Sequence, residues 1–264
     1  MIKVTEHGDV REFVLSTRFS RAMGYQVSVF SIQGTLIDCG FPRVAPAVAT
    51  ILDSGAITQA ILTHWHEDHA GNVGLLAKRQ IPTMIGTETL ARIPEGTRLP
   101  LYRWLTWGSM TSVELPPLCG SERLEVIPTP GHTSDHVAVF DPNSATVFGG
   151  DLFLGVKASN AHEDENPYHT LASVRRIRDL APVRYFDSHR GLVLDPMVAL
   201  SAKADWLASA IGQIEVGLDQ GEPDAAIRER VLGPEALVAR VSFGQMSKLN
   251  FIRAVRRLRH RLVA

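Results

Sequence analysis

Four side chains that can bind metal ions lie within six consecutive positions, in the stretch 64-HWHEDH-69. They are His64, His66, Asp68 and His69, so this short segment holds three of the ten histidines of the chain. His64 and His66 are two positions apart, and side chains at that spacing face the same way only in an extended segment. The spacing excludes the helical H-E-x-x-H zinc motif, whose histidines are four positions apart. The stretch therefore predicts a metal site at the end of a strand.

Further ligands must come from elsewhere in the chain. A single zinc ion takes about four ligands in a tetrahedral arrangement. Because four potential ligands so close in sequence cannot all easily reach one ion, the spacing indicates two ions. Three downstream candidates each follow a predicted strand: His132 in 128-PTPGHTSDH-136, Asp151 after Gly149-Gly150, and His189. Since strand ends commonly carry the chemistry of α/β proteins, we expect these side chains to converge at one edge of the sheets.

The motifs and their order resemble the metallo-β-lactamase superfamily. The matching stretches are HWHEDH at 64–69, GH at 131–132, GD at 150–151 and SH at 188–189, with 36-LIDCG-40 similar to the family's D-x-G strand end. The resemblance covers roughly residues 20–195 and implies an α/β (α+β) fold, the four-layer αβ/βα sandwich. It implies one metal ion held by His64, His66 and His132, a second held by Asp68, His69 and His189, and Asp151 as a bridge between them.

The same resemblance implies a binuclear metal-dependent hydrolase in which a metal-bridging hydroxide attacks an ester, thioester or lactone. Asp68 could help to shuttle the proton. Two Zn²⁺ ions are the expected cofactors, with iron or manganese as alternatives because they accept the same ligands. His69 favours the glyoxalase II-like and lactonase-like subgroup. Two other functions of the fold stay open, an iron-dependent oxidoreductase similar to persulfide dioxygenases and a phosphodiesterase.

The composition of the chain indicates which partners and which cell compartment to expect. With 45% hydrophobic residues and a net charge of −1, the 264-residue chain has no basic field that would favour nucleic acid, so we expect a small-molecule substrate. No apolar run reaches the roughly 18 residues of a membrane span, and no signal-peptide pattern is recognised. We therefore expect a cytoplasmic protein with no membrane partner. Cys39 and Cys119 have no CxxC spacing and are expected to be small buried hydrophobes.

The elements that must position these residues are predicted from alternation and turn signals. Strands at 25–32 and 35–38 are expected to form a hairpin around Gln33-Gly34. A strand at 58–63 leads into the histidine cluster, and His69–Gln80 is predicted as a helix weakened by glycines. The remaining expected elements are strands at 82–85, 123–127, 136–140, 146–148 and 183–187 and helices at 46–54 and about 171–180. This mixture predicts two mixed sheets covered by helices.

From about residue 195 the pattern becomes all helical. We expect a metallo-β-lactamase-like domain over 1–195 and a C-terminal helical region over 196–264. Its predicted helices are 196–218, 224–231, 235–241 and 246–262. The last of these has an arginine-rich face, expected to be the solvated face of a core-packing helix, with an anionic partner or substrate tail as the alternative.

Other polar residues near the motifs are expected to have supporting roles. His136 and Asp38 are expected to be structural or hydrogen-bonding residues and not ligands. Asp187 could orient a ligand histidine, which is the less favoured interpretation. The remaining histidines, His7, His162, His169 and His260, are expected at the surface.

Three segments are candidates for the surroundings of the site. The aromatic stretch 98–110 is expected either to pack as a connecting segment, to wall a pocket or to bury a subunit contact, so a homodimer stays open. The polar loop 155–169 and the loop 16–24 are expected to flank the mouth of the site.

Overall fold

The computed structural model describes residues 1–111, 123–158 and 160–259. Within these residues two β-sheets pack face to face, and helices cover the outer face of each sheet. This is the four-layer αβ/βα sandwich that the sequence predicted, so the expected fold class is confirmed.

The first sheet follows chain order from one edge to the other. Its described strands are β1 (Ile2–His7), β2 (Val10–Leu15), β3 (Val27–Ile32), β4 (Thr35–Ile37), β5 (Gln59–Ile61) and β6 (Thr83–Met84). The β3–β4 hairpin is confirmed, and Gln33 and Gly34 both have positive φ, as a type I′ turn requires. Neither β1 nor β2 was among the predicted strands. In β1 the apolar alternation covers only Ile2 and Val4, and the strand is exposed along most of its length.

The second sheet has the strand order β11-β10-β9-β8-β7. Its described strands are β7 (Glu125–Pro128), β8 (Val137–Asp141), β9 (Thr146–Phe148), β10 (Arg184–Asp187) and β11 (Gly191–Val193). β9 and β10 pair in parallel, so their carboxyl ends meet at one edge. The three-residue β11 follows β10 through the turn that carries His189, and no residue pattern indicated so short a strand.

The two sheets meet through aromatic side chains. The ring centroid of Phe30 on β3 lies 5.6 Å from that of Phe148 on β9 and 5.2 Å from that of Phe186 on β10. Tyr185, next to Phe186, points the other way and joins the apolar cluster under the helices. Successive residues of a strand face opposite sides of a sheet, so one strand contributes to both layers of the core.

Helices α1 to α10 cover the outer faces. Their bounds are α1 Arg18–Ala22, α2 Ala45–Asp53, α3 Val73–Lys78, α4 Thr87–Arg92, α5 Leu101–Trp107, α6 Pro167–Asp179, α7 Pro196–Asp219, α8 Asp224–Leu232, α9 Leu237–Val241 and α10 Lys248–Leu258. The predicted helix at 69–80 begins only at Val73, because Gly71 makes a tight turn. A Cβ at Gly71 would lie 2.1 Å from the carbonyl oxygen of Glu67.

The C-terminal helices pack on the second sheet. Residues of α7 and α10 share one apolar cluster with α6 and with Tyr185 of β10. The basic face of α10 is used within the chain, since Arg256 pairs with Asp224 and Arg259 with Asp219. The anionic-partner alternative gains no support from these pairs, and the division of the chain at residue 195 stays a prediction. His260 and Leu262 lie outside the described residues.

Two further expectations concern the cysteines and the membrane. Cys39 is fully buried, as expected, while Cys119 lies outside the described residues. In the part of the chain that the structure describes, no helix combines the length and the apolar character that a membrane span requires.

Candidate metal centre

The structure brings all seven candidate ligands to one edge of the sandwich. His64 and His66 follow β5 of the first sheet, and the turn after His66 places Asp68 and His69 beside them. The other three candidates follow strands of the second sheet: His132 comes after β7, Asp151 after β9 and His189 after β10. The site therefore lies where the carboxyl ends of strands from both sheets meet.

One group of four ligand atoms belongs to three histidines and Asp151. His66 Nδ1 lies 3.0 Å from His64 Nε2 and 3.1 Å from His132 Nε2, and Asp151 Oδ2 lies 3.4 Å from His132 Nε2. Zinc–nitrogen bonds of 2.0–2.1 Å in a tetrahedron place neighbouring ligand atoms about 3.3 Å apart. The spacing of these atoms therefore fits a tetrahedral ion.

A second group of ligand atoms belongs to Asp68, His69 and His189. His189 Nε2 lies 3.4 Å from Asp68 Oδ2, and His69 Nε2 lies 3.9 Å from the same oxygen. The other oxygen of Asp151, Oδ1, lies 3.2 Å from His69 Nε2 and 3.4 Å from His189 Nε2. Asp151 thus presents one carboxylate oxygen to each group, which is the arrangement of a bridging ligand.

Two of these buried atoms form no hydrogen bond among the described residues. His69 Nε2 and Asp151 Oδ1 are shielded from solvent and lie 3.2 Å apart, but the geometry is not that of a hydrogen bond. A buried polar atom without a partner carries a free-energy cost of about 1–3 kcal/mol. A cation between the two atoms would remove that cost, so the donor set fits a pair of divalent ions.

The outer nitrogens of the rings are held by the protein. His69 Nδ1 donates to Asp38 at 2.7 Å, and His189 Nδ1 donates to the carbonyl oxygen of Gln26 at 2.8 Å. His64 Nδ1 lies 3.0 Å from the Thr63 hydroxyl, which in turn donates to Asp38. Such contacts fix the tautomer that directs the other nitrogen at a metal. The expectation that Asp38 is a hydrogen-bonding residue and not a ligand agrees with these contacts.

Two residues hold the backbone of ligands in place. His136 Nε2 accepts a hydrogen bond of 3.0 Å from the backbone N–H of Asp151, while its Nδ1 contacts the Thr129 hydroxyl. Asp187 accepts from the backbone N–H of His189 at 2.8 Å and from that of Leu154 at 2.7 Å. Asp187 therefore positions the backbone of His189 and forms no hydrogen bond with its ring.

Electrostatics divides the histidines into two classes. Burial and neighbouring histidines hold the pKa values of His64 and His66 well below the ordinary range, so both rings are neutral, the form that binds metals. Burial also acts to lower the pKa of His69, but the carboxylates of Asp151, Asp38 and Asp68 outweigh it and raise that pKa well above the ordinary range. The carboxylates thus attract positive charge to the second group.

A buried ion pair ties the histidine motif to α5. The Glu67 carboxylate is fully buried and accepts from the Arg103 guanidinium, whose Nε lies 2.7 Å from Oε1. Arg103 also lies over the ring of Trp65, 5.8 Å from its centroid. Sequence reasoning missed both partners, because a pair 36 positions apart has no signature of spacing.

Arg103→Met is expected to lower the free energy of unfolding by about 2 kcal/mol. It leaves Glu67 buried without its counter-charge, and the cost is limited because Glu67 can take up a proton. Burial already raises the pKa of Glu67 despite the neighbouring Arg103. Urea unfolding should show the loss, and the double variant Arg103→Met/Glu67→Gln should recover part of it. A double variant as unstable as the sum of the two single variants would contradict the pairing.

The candidate ligands lie beside a cavity of about 520 Å³. His66, Asp68, His132, Asp151 and His189 lie on its wall. Loops and helices of both halves of the molecule complete the wall. Among the residues that they contribute are Tyr25, Gln26, Tyr102, Arg103 and Trp107, Phe153, Asn160 and His162 of the loop after β9, Arg190, and Lys203 of α7. The site is therefore a pocket with room for a small molecule.

The pocket shows where the three candidate segments of the sequence lie relative to the site. Tyr102 and Trp107 wall it, whereas Trp104 is half-exposed outside it, beneath the Arg43 guanidinium. The loops at 155–169 and 16–24 both contribute wall residues, as expected.

The expectation that His162 is a surface residue was wrong. It is partly buried and lines the pocket, with its ring centroid 6.4 Å from that of His66. His7 is also partly buried, 2.9 Å from Glu12, while His169 is exposed as expected. The sequence could not predict which of these histidines is exposed and which lines the pocket, because none of the three belongs to a motif.

Comparison with known proteins places the chain in a family. The model of the metallo-beta-lactamase superfamily matches residues 25–201. A Beta-lactamase-like protein 2 homolog of Caenorhabditis elegans is 27% identical over 206 residues, which are 70% of this chain and 65% of that protein.

Other relatives carry hydrolase names. A hydroxyacylglutathione hydrolase of Fuscovulum blasticum is 29% identical over 53% of this chain and 51% of that protein. An atrochrysone carboxyl ACP thioesterase of Aspergillus fumigatus is 28% identical over 70% of this chain and 59% of that protein. The aligned segments thus span two thirds or less of these relatives.

The fold is also shared with solved structures. A metallo-beta-lactamase family protein of Thermus thermophilus superimposes with a TM-score of 0.67, covering 96% of this chain and 94% of that one at 17% identity. This likeness concerns the fold alone. Since the family model spans most of the chain and includes every one of the seven converging residues, the chain belongs to the metallo-beta-lactamase superfamily.

Proposed function

We propose that this chain is a binuclear metal-dependent hydrolase that acts on an ester, thioester or lactone. The observation that carries the proposal is the shared carboxylate of Asp151, whose two oxygens face two separate groups of ligand atoms on the wall of a pocket. One group is His64, His66 and His132, and the other is Asp68, His69 and His189.

The bound ions would supply Lewis acidity, lowering the pKa of water and polarising an oxygen of the substrate. The residues of the chain have the other roles. His64 and His66 are held neutral by burial and so remain available as ligands. Asp68 lies on the pocket wall with its pKa held below the ordinary range, mainly by His69 and His189 against the effect of burial. As a carboxylate it can accept a proton during hydrolysis.

The substrate class rests on chemistry and on the relatives. Two relatives are named for hydrolysis at an acyl group, a hydroxyacylglutathione hydrolase and an ACP thioesterase. The pocket volume of about 520 Å³ is in the range of small-molecule sites, and we infer a small-molecule substrate and not a nucleic acid. The imidazoles and carboxylates of the seven ligands suit Zn²⁺ best, and the same set would accept iron or manganese.

Chelation is expected to abolish hydrolysis of the best substrate in a panel of esters, thioesters and lactones. Without its ions the site has no means of activating water or polarising the substrate, and loss of a ligand that binds only the folded state also lowers thermal stability. Reloading with Zn²⁺, Fe²⁺ or Mn²⁺ should restore activity with the physiological ion best. Elemental analysis of anaerobically purified protein identifies that ion.

The His66→Ala variant tests the proposal at one residue. It should lose most of its bound metal and its activity, while His169→Ala, which removes an exposed histidine of α6, should retain both. Equal activity of metal-replete wild type and His66→Ala would overturn the mechanism. Stoichiometric iron with oxygen uptake in place of hydrolysis would favour the oxidoreductase.

A further inference from the structure

Two cationic side chains of the pocket wall, Lys203 and Arg190, meet at Gly155. The Lys203 ammonium of α7 donates to the carbonyl oxygen of Gly155 at 2.9 Å, and the lysine side chain is only 5% exposed. The Arg190 guanidinium packs against the same glycine, since a Cβ at Gly155 would lie 2.7 Å from Nη2. Lys203 and Arg190 therefore present two positive charges at one place in the pocket.

Both cations have donors to spare. An ammonium has three donors, and in the described structure Lys203 uses one of them, with the Trp206 ring 5.8 Å from Nζ as a further contact. Arg190 donates from its backbone N–H to Asp187, but its guanidinium has no hydrogen bond or ion pair with any described residue. By contrast the guanidinium of Arg103, on the same wall, has a counter-charge within the chain, because it donates to both carboxylate oxygens of Glu67.

The nearest carboxylates are occupied elsewhere. Asp187 accepts from the backbone N–H groups of Leu154, His189 and Arg190. Glu165 lies 3.4 Å from His132 Nδ1 and accepts from the backbone N–H of His162. Neither acid comes within ion-pair distance of Lys203 in the described structure, so the chain itself does not neutralise this buried charge.

A buried ammonium without a counter-ion is costly to keep. Burial lowers the pKa of Lys203 to about 8, so at neutral pH the ammonium form still predominates. An oxyanion of the substrate would offset this cost and use the free donors. Arg190 follows the ligand His189 directly, and Gly155 is four positions after Asp151, so the oxyanion would lie beside the metal ligands.

We propose that Lys203 and Arg190 form an oxyanion subsite, so that the substrate is an acyl ester or thioester that carries an additional anionic group. This inference rests on the proposed hydrolase function, which it makes more specific. A carboxylate and a phosphate would both satisfy these donors.

The test compares two esters with acyl chains of equal carbon number, mono-4-nitrophenyl glutarate, which bears a free carboxylate, and 4-nitrophenyl valerate, which is neutral. Lys203→Met and Arg190→Gln are each expected to raise KM for the glutarate ester about 10-fold, as loss of a charge-assisted hydrogen bond implies, and to leave its kcat and the kinetics of the valerate ester nearly unchanged. Lys157→Met is the matched control, because this lysine, in the loop that contains Gly155, is exposed and does not line the pocket.

Calorimetric titration of the metal-loaded protein supplies a readout that does not depend on turnover. Glutarate and 4-phosphonobutyrate should bind more tightly than butyrate, and both variants should remove that difference. Whichever of glutarate and 4-phosphonobutyrate binds more tightly identifies the preferred anionic group. If glutarate and 4-phosphonobutyrate bind no better than butyrate, or if Arg190→Gln and Lys203→Met affect both esters equally, the subsite is overturned.

The two proposals fail in different ways. Absence of turnover of every ester and thioester, together with retained selectivity for the dianions, would contradict the hydrolase and leave the oxyanion subsite standing. Turnover without any preference for the anionic ester would support the hydrolase and contradict the oxyanion subsite. Should Lys203→Met fold poorly because the residue is buried, Arg190→Gln decides alone, since its side chain is exposed.

Discussion

Replacing Asp151 with asparagine is expected to lower kcat/KM at least about 1000-fold, the largest loss for any single ligand. Each carboxylate oxygen of Asp151 faces one of the two groups of ligand atoms, so one substitution removes charge from both. Asparagine keeps the size of the side chain and its hydrogen bond with His136, which comes from the backbone of residue 151. The variant should therefore remain folded while its metal content falls below two ions per chain.

The control is Asp179→Asn, which changes a carboxylate on α6 that is 64% exposed and paired only with its neighbour Arg178 among the described residues. Its kcat/KM and metal content should equal those of the wild type. Measured rates and elemental analysis of both variants decide the matter. An Asp151→Asn protein that keeps two ions and most of its activity would refute the bridging role.

Asp38→Asn is expected to lower the free energy of unfolding by about 3 kcal/mol and to weaken metal binding 10- to 100-fold. The buried carboxylate accepts from the backbone N–H of Thr63 at 2.8 Å, from the Thr63 hydroxyl and from His69 Nδ1. The amide would place N–H groups against some of these donors. Asparagine tolerates the positive φ of 62° at this position, so backbone strain does not confuse the result.

A matched variant separates stability from metal affinity. Asp141→Asn changes an equally buried carboxylate, which accepts from the backbone N–H of Asn143 and the Ser144 hydroxyl in the turn after β8. It should lose stability in urea but bind Zn²⁺ as the wild type does. If Asp38→Asn likewise keeps wild-type affinity for Zn²⁺, the carboxylate does not orient His69 toward a metal.

Much of the candidate site was predictable because ligand chemistry is local. The spacing of His64 and His66 requires an extended segment, and turn residues such as Gly149-Gly150 mark the strand ends where ligands can gather. The structure does bring the seven residues together in the two groups that the resemblance implied.

Alternation of residue types indicated some of the strands that contribute to the core. It predicted β3 and β8, most of whose residues are buried. The alternation in β1 covers only Ile2 and Val4, and this strand pairs with β2 at an edge while most of its side chains are exposed. Backbone hydrogen bonds stabilise such a strand, and these bonds do not depend on residue type.

The sequence by itself determined which residues could bind a metal ion. It also determined that each of them follows the end of a strand. Only the tertiary structure decided which groups hold those residues: Asp38 against His69, His136 against the backbone of Asp151, and Arg103 against Glu67. It also decided that Lys203, from the predicted C-terminal helical region, lines the pocket. Contacts between residues so far apart in the chain depend on how layers pack, and packing is a property of the whole core and not of any short segment.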